Sequence, residues 1–197
     1  NQGGTTVTTK ININGGTSGN VYGGGDQGIV DGNGTNTTIR NSLVKISAYG
    51  GGNGASDATN KGKVTGNINI EVVDSAIIGE GKELDGAGNV VLDVYGEEVY
   101  NGSVFGGGRG KTALVVGDIN VKLNESTVNY NIYGGGDNGD VSGSTAVRIT
   151  NGIVNSSAFG AGNGIPDSDH TKHIARVSED SSISYQNLEH SCPKRVL

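Results

Sequence analysis

The amino-acid sequence predicts an all-β chain, a right-handed parallel β-helix (β-solenoid) of about seven coils of ~27 residues. The first observation behind this is a motif written five times, an apolar residue, an aromatic and a glycine-rich triplet. Its copies are Val21-Tyr22-Gly23-Gly24-Gly25, Ala48-Tyr49-Gly50-Gly51-Gly52, Val104-Phe105-Gly106-Gly107-Gly108, Ile132-Tyr133-Gly134-Gly135-Gly136 and Ala158-Phe159-Gly160-Ala161-Gly162. The aromatics stand 27, 56, 28 and 26 residues apart. The 56 reads as two periods, with a worn copy, Ile77-Ile78-Gly79-Glu80-Gly81, at its midpoint. The second observation is a pair of columns that keep register with the motif. Five residues before the aromatic (or Ile78) stand Thr17, Val44, Val73, Tyr100, Val128 and Val154; one residue before stand Val21, Ala48, Ile77, Val104, Ile132 and Ala158. The third is strict alternation upstream of the motif, as in Ile68-Asn69-Ile70-Glu71-Val72, which is the period of a half-buried strand.

Each coil is then justified element by element. A short strand closing on glycine opens it, at Val30-Asp31-Gly32, Val64-Thr65-Gly66 and Val141-Ser142-Gly143. The alternating strand follows, at Ile11-Asn12-Ile13, Ile119-Asn120-Val121-Lys122-Leu123 and Val147-Arg148-Ile149, with Asn, Lys, Glu and Arg facing out. The motif itself closes the coil. Glycine suits the corners because it adopts positive φ without penalty and because stacked corners, ~4.8 Å apart, leave little room for side chains. The right hand rests on the general bias of parallel β connections. Val177-Ser178 and Ile183-Ser184-Tyr185-Gln186-Asn187 match Val141-Ser142 and Val147 to Asn151, so a last partial coil ends near Asn187. The expected organisation is one solenoid domain over 1–187 and a C-terminal tail or partial cap over 188–197.

Composition narrows the class. Only 32% of the 197 residues are hydrophobic, thin for a globular core but sufficient for the narrow interior of a solenoid. The 37 glycines follow no Gly-X-Y triplet, which excludes collagen. A net charge of −6 without a Lys/Arg cluster argues against nucleic acid as a partner. No apolar run has the length of a membrane span, so membrane insertion is not expected. The single cysteine, Cys192, excludes an internal disulfide framework. With no methionine and no signal-peptide pattern, the chain is expected to be a mature or excised segment.

Candidate functional residues are few. The aromatic column of Tyr22, Tyr49, Phe105, Tyr133 and Phe159 is read as a structural ladder in preference to a flat platform for sugar rings. After each triplet come Asp26, Asn53, Arg109, Asp137 and Asn163, read as a polar column hydrogen-bonding the corner; Arg109 and the lack of a nine-residue sub-repeat argue against a calcium ladder. Asn53-Gly54 and Asn163-Gly164 open equivalent insertions on one edge, three coils apart, and these loops are where a partner is expected to bind, around Asp57, Lys61, Asp167, Asp169 and His170. Asp167, Asp169, His170 and His173 are also metal-ligand types, but so short a run without a second element converging on it is read as a solvated loop. No cofactor, metal or catalytic residue is expected, because no carboxylate pair repeats on neighbouring coils and all three histidines fall near the C-terminus.

The unit running from Val21 to Gly32 and from Ile119 to Gly143 resembles the glycine-rich repeats of large secreted or surface-anchored bacterial adhesin-like proteins, over roughly residues 5–164. The resemblance implies an extracellular or bacterial cell-surface location and a structural or adhesive, non-catalytic module, with a glycan or host-surface ligand. A carbohydrate-active β-helix acting on uronic acid polymers, lyase or hydrolase, is the alternative. The first coil starts at Thr5 with no lid. It is therefore expected to be covered by a preceding repeat or by another copy of the chain, stacked head to tail into a fibre.

Overall fold

Alternation of β-branched and polar residues is carried into regular strands throughout the computed structural model, which describes residues 5–55, 60–92, 96, 98–164 and 175–186. No helix occurs among the described residues. The first repeat supplies β1 (Thr5–Asn14), β2 (Thr17–Ser18) and β3 (Val21–Tyr22), and the second β4 (Ile29–Arg40), β5 (Leu43–Val44) and β6 (Ser47–Tyr49). The third supplies β7 (Val64–Thr65), β8 (Ile68–Val73), β9 (Ile77–Ile78) and β10 (Ser103–Phe105). The fourth supplies β11 (Val115–Val116), β12 (Ile119–Asn124), β13 (Thr127–Val128) and β14 (Ile132–Tyr133). The fifth supplies β15 (Thr145–Thr150), β16 (Ile153–Val154) and β17 (Ala158–Phe159), and β18 (Ser181–Gln186) lies beyond it.

These strands form three sheets, and every pairing between them is parallel. The largest has eight strands in the order β11-β7-β4-β8-β12-β15-β18, with β1 on β4. The other two have five each, β2-β5-β9-β13-β16 and β3-β6-β10-β14-β17. A strand therefore pairs with its counterparts one repeat away, and like residues fall in rows. Ile39, Val72, Leu123 and Ile149 form one inward row; Val30, Val64, Val115, Val141 and Val177 form another. Apart from half-buried Val177, all of these are buried in a single cluster with Val44, Ile78, Val104, Val128 and Ile132. Removing each such side chain from water contributes about 1.5–3 kcal/mol, and buried Thr35, Thr37 and Thr145 stand among them. Asn69, Glu71, Asn120, Lys122 and Arg148 alternate outward on the same strands.

The register corrects the reading of the 56-residue gap. β10 pairs directly with β6, Val104 on Ala48 and Phe105 on Tyr49, so nothing of the aromatic column lies between them. Ile77-Ile78 pairs instead with Leu43-Val44 and Thr127-Val128, in the sheet before the aromatics. The true column is Ser18, Val44, Ile78, Val128 and Val154; Thr17 is one residue out, and Val73 and Tyr100 lie elsewhere. The described residues thus give five repeats in these two sheets plus β18, in place of about seven. The surplus in the gap comes mainly from two insertions, one before Val64 and a longer one at 80–101. In the second and fourth repeats this corner takes two residues, Lys45-Ile46 and Asn129-Tyr130, whose amides bond Ser18 and Gly19 or Ile78 and Gly102 one repeat away. In the third repeat Gly79 and Gly102 occupy those two positions and lie against each other.

Positive φ is confined to other corners than the triplets. It occurs after the long strands, at Gly15, Asn41, Asp74, Ser75, Glu125 and Asn151, and none of the first four triplets includes a glycine at positive φ. The triplets are glycine because stacked backbones meet there: a Cβ on Gly23, Gly50, Gly106 or Gly134 would stand 2.1–2.3 Å from the carbonyl oxygen of the equivalent glycine in the next repeat. The match of Val177 to Val141 and of Ile183 to Val147 holds in the register. The tail over 188–197 lies outside the described residues.

Deleting 80–101, so that Gly79 runs straight into Gly102, is expected to leave a cooperatively unfolding β protein with its urea midpoint nearly unchanged. Loss of cooperative unfolding would mean that the segment is a layer of the stack.

Candidate functional site

The aromatic column is built by the third sheet, which places one ring per repeat at the same position. Tyr22, Tyr49, Phe105, Tyr133 and Phe159 stack with centroids 4.8, 5.0, 4.9 and 4.8 Å apart and planes within 10° of parallel. Ring faces are therefore occupied by neighbouring rings, and the column offers edges and hydroxyls to the outside. That geometry opposes a flat sugar platform along the column. Tyr49, Phe105 and Tyr133 are buried, whereas Phe159, the last ring, is exposed.

Beside the column the 80–101 insertion makes a concavity. Three short pieces of it bond in a ring: the Glu83 amide donates to the Val99 carbonyl, Val99 to Val91, and Val91 to Glu83. An Asx turn closes one loop, the Asp85 carboxylate accepting from the Ala87 and Asn89 amides at 2.9 and 2.8 Å. Lys82 pairs with Glu98 at 2.7 Å, and the Tyr100 hydroxyl also donates to Glu98. The segment thereby holds Glu83, Val99, Tyr100 and Asn101 opposite Tyr49, Phe105 and Tyr133, enclosing a cleft of about 340 Å³. Arg109, Asp137 and Asn163 also line it.

Electrostatics in the cleft are dominated by burial. The Asp137 carboxyl is pushed up, first by burial, with the Asn163 amide and the Arg109 guanidinium pulling the other way and Glu83 adding to the rise. Both amides that reach it, from Asn138 and Asn163, donate to the same oxygen, Oδ1, at 3.2 Å. Burial, with a smaller contribution from the Asp137 charge, holds the Tyr49 phenol far above its usual range. Tyr133 is pushed up to about 12, again first by burial, against the Asn131 amide that donates to its hydroxyl at 3.1 Å. Arg109 donates to the Tyr22 hydroxyl at 3.4 Å, which is the main cause of its raised pKa.

The polar column after the triplets is stacked as the spacing suggests, with Asp26 paired to Asn53, Asn53 to Arg109 and Asp137 to Asn163. Its side chains bond chiefly to one another, Asn53 to Asp26 at 2.9 Å and Asn163 to Asp137 at 3.2 Å. Among the described residues no group of three or more His, Cys, Asp or Glu is placed to hold a metal ion. Of the loop residues expected to bind a partner, Lys61 has its ammonium on the Gln27 side chain at 2.9 Å and its carbonyl accepting from Thr112 at 2.8 Å. It ties the loop to the repeats on either side. Asp57, Asp167, Asp169, His170 and His173 lie outside the described residues.

Sequence reasoning missed the cleft because it read part of the insertion as a repeat. The signal present was Leu84 and Val90 flanking Asp85-Gly86, the pattern of a turn between apolar ends. Comparison with protein-family models, curated proteins and solved structures gives no match.

The raised Asp137 value sets a pH dependence. A carboxyl that holds its proton more tightly when folded favours folding below the unfolded carboxyl range, and this contribution is lost as pH rises through the folded value. Asp137→Asn, uncharged at every pH, is expected to melt higher than the parent near pH 7, with the gap closing near pH 3. Thermal melts at both values check this; a variant less stable only at neutral pH would show that the carboxylate is favoured by the fold.

Proposed function

We propose that the chain is a right-handed parallel β-helix acting as an extracellular, non-catalytic structural and adhesive module, extended end to end by further repeats or further copies. The observation that carries this reading is that inward rows run from repeat to repeat while several outward side chains bond their counterparts in the next repeat. Outside, Asn69 donates to Asn36 at 3.0 Å and Asn120 to Asn69 at 3.2 Å, while Asn155 donates to Asn129 at 2.9 Å. Side chains that satisfy their own column-mates make a surface that depends on stacking, as in other one-dimensional repeat proteins.

Both ends of the stack support extension. The edge of β1 away from β4 and the edge of β18 away from β15 carry no strand among the described residues. Exposed Val7, Ile183 and Tyr185 lie on those two strands, and exposed Phe159 on β17 at the end of its own sheet. Unpaired parallel edges with apolar side chains template further strands, and a heterologous contact of this kind does not close on itself.

A carbohydrate-active enzyme working on uronic acid polymers is the second reading, drawn from Glu83, Asp137 and Arg109 sharing one cleft. Two carboxylates against one guanidinium oppose a polyanionic substrate, so the structural reading stands ahead of it.

Purified protein is expected to form fibres one chain wide in electron micrographs, lengthening with concentration in sedimentation runs. A monomer that persists at high concentration would remove the self-assembly part of the proposal, and depolymerisation of oligogalacturonate by the purified protein would replace it with the enzymatic reading.

A further inference from the structure

The 80–101 insertion leaves the stack at a corner whose two positions are held by Gly79 and Gly102, which lie against each other. Among its described residues, backbone bonds such as Glu83 to Val99, Val91 to Glu83 and Asn101 to Gly81 are made within the segment. What it adds is a wall, turning the side of the aromatic column into a cleft of about 340 Å³, within the size range of small-ligand sites.

The groups lining that cleft include both donors and acceptors. Arg109 and the Asn20 amide nitrogen donate, the Asn20 oxygen being held by the Ser47 amide at 3.1 Å. Asp137 accepts, with both of its amide partners on Oδ1 and its Oδ2 unpartnered among the described residues. The Tyr49 and Tyr133 phenols are held neutral by burial and so can both donate and accept. At the rim Tyr100 stands 6.1 Å from Tyr130 with the rings tilted by 41°, so these rings are not stacked face to face as in the column. A carboxylate and a guanidinium lining one cleft suit vicinal hydroxyls, each of which donates one hydrogen bond and accepts another. The surplus of carboxylate over guanidinium, Glu83 and Asp137 against Arg109, disfavours an anionic ligand.

We propose that the cleft between the 80–101 insertion and the aromatic column binds a neutral sugar unit of a glycan, with Asp137 and Arg109 on its hydroxyls and Tyr100 against its apolar face. This names the ligand class for the adhesive half of the proposed function, and it rests on that reading only for its biological role. It places a binding site at the insertion, apart from the loops near Lys61.

Saturation-transfer NMR and calorimetry test it with neutral gluco-, manno-, galacto- and N-acetylglucosamine oligosaccharides in one arm and oligogalacturonate in the other. At least one neutral oligosaccharide is expected to bind, and Tyr100→Ala and Arg109→Gln are each expected to weaken it about tenfold or more. Deleting 80–101 is expected to abolish binding while the melt stays cooperative, which separates loss of the site from loss of the fold. The proposal is overturned if no neutral sugar binds at millimolar concentration, if only the acidic arm binds, or if affinity survives the deletion. None of those outcomes bears on end-to-end assembly, which micrographs and sedimentation test separately.

Discussion

Close approach of backbone to backbone at the glycine triplets is the constraint on which the other regularities rest. The first glycine of each triplet leaves its neighbour's carbonyl in the space a Cβ would need, at Gly23, Gly50, Gly106 and Gly134 alike. The amides there bond one repeat onward, Gly23 to Tyr49, Gly50 to Phe105, Gly106 to Tyr133 and Gly134 to Phe159, at 2.8–2.9 Å. That spacing, close to ~4.8 Å between paired strands, is also the spacing at which aromatic rings stack in contact. The ring column follows from the glycine column and adds perhaps ~1 kcal/mol per pair beyond burial. Threonines on the facing strands complete the corner: Thr35 donates to the Gly50 carbonyl and Thr145 to Gly160, both at 2.6 Å. Where the same row carries Ile68 and Ile119, their methyls pack against Gly50 and Gly106 instead.

A stack held this way is strict in its strands and permissive at its corners. The long strands keep a two-residue period without slippage from β8 through β18, since a shift of one residue would turn Ile70, Val121 and Val147 outward. Among the described residues the longest departures from the period fall at corners, before Val64 and at 80–101, and a smaller one is the register shift between Thr6 and Thr8 where β1 meets β4. A corner that opens can vary without disturbing the rows, which is where a scaffold of this kind has room for side chains outside the repeat. The cleft shows the division: its aromatic wall belongs to the repeat, while Glu83, Tyr100 and Asn101 belong to the insertion.

Much of this was legible because a stacked fold writes its long-range contacts as a short-range period. The Val141 and Val177 correspondence, the alternation in β8 and β12 and the polar column at Asp26, Asn53 and Arg109 all survive in the register. The gap between Tyr49 and Phe105 failed for the same reason. Ile77-Ile78-Gly79 looks like an apolar pair before a triplet, and a period cannot tell which sheet an apolar pair belongs to; only the hydrogen-bonded partners Leu43-Val44 and Thr127-Val128 decide it. The role of the triplet glycines was half legible. Crowding was foreseen, whereas positive φ falls on Asn41, Glu125 and Asn151, residues chosen for other corners. The cleft was out of reach, because Arg109 and Asp137 acquire Glu83 and Tyr100 as neighbours only when an irregular segment folds back over them.

The account stands most directly on Gly106, whose added Cβ would lie 2.2 Å from the Gly134 carbonyl and 2.5 Å from the Ile119 side chain, with Gly86, open on all sides within 4 Å, as its control. Urea unfolding of Gly106→Ala is predicted to show a loss of about 3 kcal/mol, and of Gly86→Ala a change within about 0.5 kcal/mol. A Gly106→Ala protein as stable as the parent would contradict the claim that stacked glycine backbones set the spacing of this fold.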